Sequence, residues 1–220
     1  MKNFRTLFVV CLLAMATAVN AQLANTSSVD NKGWQGVKLS YNRFTIDEKG
    51  LDYDAISAFE VGYAKAFSIS QAQPLFVEAG ASFAYATGDF YNEDGVSFSL
   101  KMASLFVPVN LGYKVSFSNG MSLFPYVGVS LKGHITGEIE ADMNIYDSYE
   151  GRTYSVSTTL DVFDDDDMED TWKRFQIGWQ IGATLNVNKF NVGLSYGTDF
   201  MEICKDVDTK TFKISAGYNF

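Results

Sequence analysis

The chain contains 220 residues, of which 47% are hydrophobic, and its 26 acidic residues outnumber its 17 basic residues to give a formal charge of −9. This length suits one domain with a single core, and the acidic balance argues against nucleic acid as a partner, because binding to phosphates requires positive charge. No apolar stretch reaches the roughly 20 residues of a transmembrane helix, so the sequence excludes helical membrane insertion.

Residues 1–21 have the composition of a secretory signal peptide. Lys2 and Arg5 precede an apolar run, and small residues follow it up to Ala21, which is the order of features in a cleaved leader. We therefore expect cleavage after Ala21. That cleavage removes the two basic residues and changes the formal charge from −9 to −11.

Only one of the two cysteines lies outside this leader, because Cys11 would be removed with it. The remaining Cys204 cannot form a disulfide within the chain, so hydrogen bonds and packing have to hold the fold. We interpret Cys204 as an incidental loop thiol rather than a nucleophile.

From Trp34 onward, apolar residues recur at every second position, which is the period of a β-strand with two unlike faces. In residues 175–187, for example, apolar residues alternate with glycine and polar residues throughout. The same pattern predicts eight strands along the chain. Their apolar positions, in order, are Val37, Leu39 and Tyr41; Phe59, Val61, Tyr63, Phe67 and Ile69; Leu75, Val77, Ala79, Ala81, Phe83 and Tyr85; the segment 96–117; Leu123, Pro125, Val127, Val129 and Leu131; Phe175, Ile177, Trp179, Ile181, Ala183, Leu185 and Val187; Val192, Leu194 and Tyr196; and Phe212, Ile214, Ala216, Tyr218 and Phe220.

The fourth predicted strand, residues 96–117, changes the parity of its apolar residues. Even-numbered positions are apolar at Leu100 and Met102, whereas odd-numbered positions are apolar further along. One extra residue in a strand reverses the faces that follow it. We therefore predict a β-bulge near Ala103 and Ser104.

The predicted connections alternate between short and long, and the long ones are acidic. The short connections are 70–73, 118–120 and 188–189, and the long ones are 47–54, 88–95, 133–171 and 199–208. Short periplasmic turns opposite longer external loops are typical of bacterial outer-membrane barrels. The predicted fold class is therefore all-β, an eight-stranded antiparallel transmembrane up-and-down β-barrel over residues 34–220, preceded by a short periplasmic segment at 22–33.

The composition of the two faces indicates which one points outward, since a soluble barrel with an apolar interior would also alternate. The apolar face is nearly free of charge, and its aromatic residues gather toward the strand ends. Aromatic girdles at two membrane interfaces explain that distribution. We therefore predict an apolar outer surface in contact with outer-membrane lipid and a polar interior.

The predicted interior face carries a small set of charged residues. They are Lys38, Glu60, Glu78, Lys114, Lys132 and Lys213. Side chains fill the interior of an eight-stranded barrel, and opposite charges there have to pair because an isolated buried charge loses its hydration. We predict a structural network of ion pairs rather than an open pore.

The final strand, Phe212 to Phe220, is amphipathic and ends in an aromatic residue. Together with the segment Val107 to Lys114, it resembles the outer membrane protein β-barrel domain family, which includes small barrels of the porin-family and PorT-like kinds. The resemblance covers nearly all of the mature chain. It implies insertion by the barrel-assembly machinery, with Tyr218 and Phe220 as the recognition signal, but no particular activity, because such barrels have diverse roles.

His134, the only histidine, lies where the fifth predicted strand enters the long connection, close in sequence to Ser130 and upstream of many acids. Serine, histidine and carboxylate together could catalyse acyl transfer. No nucleophile motif or zinc-ligand spacing accompanies them. We therefore expect a non-enzymatic protein with no cofactor.

The connection 133–171 concentrates the acidic residues. Clustered carboxylates can bind calcium, but the EF-hand spacing and its central glycine are absent, so we expect a solvated loop without a metal site. Tyr146, Tyr149, Tyr154 and residues 156–162 indicate that part of it extends the strands. The candidate interaction residues are Asp164, Asp165, Asp166 and Asp167.

The functional prediction is a structural or interaction role at the cell surface through the external loops, with an envelope protein as a candidate partner. The narrow interior and the long acidic connection motivate it. A narrow channel or transporter for small or apolar molecules is the alternative, and a membrane-embedded lipid hydrolase is less favoured.

Overall fold

The computed structural model describes residues 30–48, 51–52, 54–93, 96–117, 120–147, 152–164, 171–204 and 207–220. The predicted signal peptide lies outside these residues. Within them the backbone forms eleven strands. They are β1 (Trp34–Glu48), β2 (Leu51–Asp52), β3 (Ile56–Ser68), β4 (Leu75–Glu93), β5 (Val96–Tyr113), β6 (Val115–Ser116), β7 (Met121–Asp147), β8 (Arg152–Asp161), β9 (Phe175–Val187), β10 (Phe190–Asp199) and β11 (Val207–Asn219). Among the described residues, no helix is long and apolar enough to cross a membrane.

Eight of these strands close into one antiparallel barrel. The order around the ring is β1–β3–β4–β5–β7–β9–β10–β11, and β11 pairs with β1 from Gly36 opposite Asn219 to Glu48 opposite Val207. The short strand β2 pairs with β1, while β6 and β8 pair with β7. The predicted fold, an eight-stranded up-and-down barrel, is therefore confirmed.

The two ends of the barrel differ in the length of their connections. The turn end contains the short connections 69–74 and 188–189, residues 117 and 120 between β6 and β7, and both termini of the described chain. Asn188 and Gly120 adopt positive φ angles of 55° and 72° there, and the Asn188 amide donates to the Gly120 carbonyl over 3.0 Å. A Cβ at position 120 would lie 2.6 Å from Asn188 Oδ1, so this contact between two turns requires glycine. We call the opposite end the hairpin end.

Outward-pointing side chains of the barrel wall are largely apolar and exposed. Phe59 and Phe190 are each 67% exposed and Leu39 is 66% exposed. The alternate positions point inward and are mostly small or polar, such as Ser40 and Asn42 on β1. The prediction of an apolar outside and a polar inside is confirmed for the middle of the barrel, which is the arrangement that a lipid environment requires.

The prediction for β5 needs correction. Leu100, Met102, Ser104 and Phe106 are all buried, and burial alternates without interruption along this part of β5. The strand therefore keeps one inward face, and its even-numbered apolar residues point into the barrel rather than outward. The bulge that we predicted within β5 is wrong.

The pairing between β5 and β7 does shift next to Ala103 and Ser104, but the extra residue belongs to β7. Ala103 lies opposite Thr136 and Ser104 lies opposite His134, which leaves Ile135 unpaired. Inward positions on β7 are even-numbered up to His134 and odd-numbered from there on. The reversal of faces therefore occurs in β7, at Ile135.

Most of the connection 133–171 is strand rather than loop. β7 continues to Asp147, and β8 pairs with it from Asp161 opposite Glu138 to Arg152 opposite Asp147. On its other edge, the same part of β7 pairs with the beginning of β5. On its other edge, this part of β5 pairs with the end of β4. We call residues 96–101, 138–147 and 152–161 of this extension the hairpin sheet.

Candidate functional site

An aromatic cluster fills the barrel interior at the turn end. Phe76 and Phe124 are fully buried, and the ring of Trp34 lies 5.0 Å from each of theirs. Ala66 and Tyr126 complete the cluster. Large rings packed across the mouth of a small barrel leave little room for a solute.

Lys114, a predicted member of the interior network, lies beside this cluster and apart from the other five charges. Its Nζ bonds to Asp30 Oδ2 over 2.6 Å and lies 5.6 Å from the Trp34 ring centre. Partial burial of Asp30 would raise the pKa of its carboxyl, but hydrogen bonds from Lys114 and from the Lys32 amide outweigh this and hold the pKa below its usual value of 3.8. The pair ties the segment before β1 to the barrel.

A first buried ion pair lies above the aromatic cluster. Lys38 Nζ donates to both carboxylate oxygens of Glu78, at 2.9 and 3.0 Å. Trp34 Nε1 and Asn110 Nδ2 donate to the same carboxylate, at 3.2 and 3.3 Å. Several donors around one carboxylate replace the hydration that Glu78 loses in the barrel.

A second pair joins Lys213 to Glu60, with Nζ 2.6 Å from Oε2. Asn42 Nδ2 and Ser82 Oγ donate to Glu60 as well, at 2.8 and 2.7 Å. The Lys213 ammonium also lies 4.0 Å from the centre of the Phe106 ring. The sequence-predicted charges on β1, β3, β4 and β11 are thus brought together in two pairs.

A third pair contains a residue that the sequence analysis missed. Lys132 Nζ donates to Asp199 Oδ2 over 2.8 Å, and Thr209 donates to the same oxygen. We assigned Asp199 to the acidic connection 199–208, whereas β10 includes it. The polar, inward-facing residues of β10 have odd numbers, as Ser195 does. Asp199 also has an odd number, and this pattern could have identified it as an interior residue.

His134 is buried and bonded on both sides of its ring. Its Nε2 lies 3.0 Å from Gln176 Oε1, and its Nδ1 lies 2.8 Å from Ser104 Oγ. Because a carbonyl oxygen only accepts, the neutral ring would carry its proton on Nε2 and accept from the serine hydroxyl through Nδ1. The serine in contact with His134 is therefore Ser104 rather than Ser130, and both partners are buried.

An apolar cluster seals the hairpin end above these polar groups. It comprises the buried residues Phe44, Ile56, Ala58, Ala86, Leu100, Met102, Ile139, Val162, Trp172, Ile203 and Val207. The segments before β9 and after β10 enter the mouth, because the Trp172 amide donates to the Val162 carbonyl at 2.8 Å and the Lys173 amide to the Ile203 carbonyl at 2.8 Å. The described interior thus contains three ion pairs between two apolar clusters.

The remaining predicted residues lie away from this interior. Tyr218 and Phe220 point outward, 39% and 62% exposed, and the Tyr218 ring lies 5.4 Å from that of Phe190. Asp164 is described, whereas Asp165, Asp166 and Asp167 lie outside the described residues. In the part of the chain with assigned positions, no three potential metal-binding side chains cluster together.

The outer membrane protein beta-barrel domain family matches residues 8–220 of the chain. Among solved structures, the chain is similar to Ail, the attachment invasion locus protein of Yersinia pestis, with 17% sequence identity, a TM-score of 0.49 and coverage of 86% of this chain and 99% of that one. It is also similar to Neisserial surface protein A, with 13% identity, a TM-score of 0.41 and coverage of 84% and 95%. The N-terminal β-barrel domain of OprF from Pseudomonas aeruginosa is similar as well, with 12% identity, a TM-score of 0.34 and coverage of 86% of this chain and 100% of that one. No curated protein matches the chain.

Proposed function

The chain belongs to the outer membrane protein beta-barrel domain family, and we propose that it acts at the bacterial cell surface as a structural or interaction protein whose hairpin sheet contacts a protein partner. In this proposal the turn end faces the periplasm and the hairpin end faces outward, because outer-membrane barrels have short periplasmic turns and longer external loops. The hairpin sheet then projects from the cell.

The observation that carries the proposal is an exposed apolar surface that lipid cannot cover. Met143 lies opposite Val156, and Tyr154 follows on the same face of β8. These side chains are 39%, 46% and 46% exposed. They share the face of Ile139 and Ala141, which points toward the barrel axis rather than toward the membrane. Exposed apolar residues in such a position are typical of protein contact surfaces.

The opposite face of the hairpin sheet is acidic and polar. Glu138 and Asp142 are exposed, and Glu140 pairs with Lys101 over 2.6 Å. An apolar patch flanked by acidic residues favours a partner with an apolar contact region and basic residues around it. The three buried ion pairs, by contrast, support a structural role for the barrel interior.

The experiment combines a cross-linking residue with a truncation. A photoreactive amino acid at position 156 in intact cells should form an adduct with one protein, whereas position 157, on the opposite face of β8, should not.

Replacing residues 142–157 by a two-residue Asn-Gly turn between the paired residues Ala141 and Thr158 should keep the barrel assembled, as shown by its heat-dependent gel shift. The protein that is cross-linked at position 156 should then no longer co-purify with the truncated barrel in mild detergent. Equal adducts at both positions, or unchanged co-purification after truncation, would contradict the proposal.

The alternative of a channel for small or apolar molecules has less support. The ion pairs and the apolar clusters at both ends oppose a continuous water-filled path. The hydrolase alternative also lacks support, because His134 and Ser104 are buried beneath the hairpin-end cluster. Planar-bilayer recordings on the purified, folded barrel should therefore show no single-channel steps.

A further inference from the structure

Lys65 is a charged residue on the lipid-facing side of the barrel wall. It points outward from β3 between Tyr63 and Phe67, which are 43% and 49% exposed. Ile69, 56% exposed, follows before the chain turns, so Lys65 lies inside the apolar band rather than at its edge. A cation in contact with hydrocarbon loses its hydration, and this loss destabilises a membrane barrel unless another group compensates for it.

No described carboxylate provides that compensation. Lys65 forms no ion pair with any described residue. Instead, its Nζ lies 5.1 Å from the centre of the Phe67 ring. Because Phe67 is nearer the turn end than Lys65, the ammonium group reaches toward that end of the barrel, as lysines do when they place their charge at the lipid head groups.

Gln35 provides a second hydrogen-bond donor beside Lys65. The two residues lie directly opposite each other on β1 and β3, so their side chains are neighbours on the outer face. Gln35 Oε1 accepts from the Tyr63 hydroxyl over 3.0 Å, which leaves the Nε2 amide group of Gln35 available to donate. A cation and a neutral donor thus lie side by side, and together they favour an anion.

The wall next to Lys65 has room for a hydrocarbon chain. On β4, Ala79 lies opposite Lys65 and Ala81 lies opposite Tyr63, and both alanines face outward. On the next strand, Val109 lies opposite Ala79 and is 39% exposed. The two successive alanines therefore leave a shallow apolar strip between the larger side chains of β3 and β5. This strip runs from Lys65 toward the middle of the wall.

We propose that Lys65 and Gln35 bind the phosphate of one anionic membrane phospholipid, and that an acyl chain of the same molecule lies along Ala79 and Ala81. Such a lipid satisfies both parts of the site, because its phosphate pairs with the ammonium group and its chain covers the apolar strip. A lipid that carries its own ammonium group binds less well, since that group competes with Lys65 for the phosphate. The site belongs to the wall and is independent of the partner proposed for the hairpin sheet.

Native mass spectrometry of the full, folded barrel released from mixed micelles tests the charged part of this site. With equal amounts of phosphatidylglycerol and phosphatidylcholine of identical acyl chains, the wild type should retain one phosphatidylglycerol about three- to tenfold more often, as expected from one cation at a membrane surface. Lys65→Gln should abolish this preference, whereas Lys65→Arg should keep it. The absence of any preference in the wild type would overturn the proposal.

The matched control for the charge is Lys189→Gln. Lys189 lies at the same end of the barrel, with its Nζ 5.7 Å from the centre of the Tyr218 ring, but it belongs to the turn 188–189 rather than to the wall. Its substitution should leave the preference unchanged. An equal loss in Lys189→Gln and Lys65→Gln would assign the preference to the overall charge of the turn end and would overturn the proposed site.

A second pair of variants tests the contact with the acyl chain. Ala79→Phe fills the apolar strip beside Lys65 and should lower the retention of phosphatidylglycerol at least about threefold. Ala183→Phe adds the same ring at a lipid-facing alanine of β9, on the opposite side of the ring of strands from β3, and should have no effect. Inorganic phosphate at millimolar concentration should not displace the lipid from the wild type. Displacement by phosphate, or equal losses in the two alanine variants, would contradict a phospholipid site.

Discussion

The barrel wall and the hairpin sheet are built in part from the same two strands, β5 and β7, but they expose apolar residues for different reasons. In the wall, exposed apolar residues point away from the barrel axis, where lipid covers them. In the hairpin sheet, Met143 and Val156 belong to the face that points toward the axis. Exposure in the wall therefore reflects the membrane, whereas exposure in the hairpin sheet requires another explanation, which a protein partner supplies.

Inserting one alanine between Gly137 and Glu138 should have the largest effect, because it shifts the hairpin sheet by one position relative to the wall. The side chains of β7 would still alternate, so Glu138 and Glu140 would enter the barrel and Ile139 would leave the apolar cluster. Loss of a buried isoleucine and burial of two carboxylates should lower the free energy of unfolding by more than about 5 kcal/mol. Urea titration with the gel shift as readout measures this.

The control for that insertion is deletion of Ile135. Ile135 has no paired residue on β5, since Ser104 lies opposite His134 and Ala103 lies opposite Thr136. Its deletion therefore makes the pairing regular and keeps Gly137 and Ile139 inward, so it should cost only about 1 kcal/mol. A similar loss in both variants would show that any change in the length of β7, and not the reversal of its faces, destabilises the barrel.

The second prediction concerns the wall alone. Lys213→Met leaves the Glu60 carboxylate buried without its cation, which should lower the free energy of unfolding by about 3–5 kcal/mol. Adding Glu60→Gln should restore most of that loss, because no unpaired charge then remains. Lys101→Met is the exposed counterpart in the hairpin sheet and should cost at most about 1 kcal/mol. If the double variant is no more stable than Lys213→Met, the pairing does not account for the effect.

The sequence predicted the wall well because each strand there obeys one rule. Alternation with apolar residues outward identified the barrel strands, and the inward parity identified six charges, five of which form the three interior ion pairs. Asp199 was missed because its acidic neighbours made it resemble part of a loop. Asp199 differs from these acidic neighbours only because it occupies an inward-facing position of β10.

The hairpin end could not be predicted in the same way. The rule that inward residues are polar fails at Leu100 and Met102, because the segments that contain Val162 and Trp172 fold into the mouth and cover them. Such a cover depends on contacts between residues distant in sequence, which the alternation of one strand does not report. The inward face of β5 is therefore the same along the strand. Its inward residues change from apolar to polar because they leave the apolar cluster at the hairpin end and enter the polar middle of the barrel.

The third prediction isolates the apolar face of the hairpin sheet. Tyr154→Ser with Val156→Ser should weaken binding to the partner identified by cross-linking about 10- to 100-fold, which corresponds to a loss of about 1.4–2.8 kcal/mol for the two apolar contacts together. Ser157→Ala, on the polar face of the same strand, should change the affinity less than about twofold. Surface plasmon resonance with the barrel in nanodiscs measures the affinity of each variant for the partner. Equal losses would assign the contact to the strand as a whole rather than to its apolar face.

The smallest effect is expected at the turn end, where the segment before β1 is tied to the barrel by the Asp30–Lys114 pair. Asp30 is partly exposed, so Asp30→Asn should loosen the segment by less than about 1 kcal/mol, which corresponds to a two- to fivefold faster tryptic cleavage after Lys32. Because the pKa of Asp30 is lowered in the folded protein, the pair stabilises the segment above about pH 4, and its contribution disappears as the pH falls below 3.8. NMR signals of residues 30–33 should shift over that acidic range in the wild type but not in Asp30→Asn. A response confined to neutral pH would instead assign the attachment to another group.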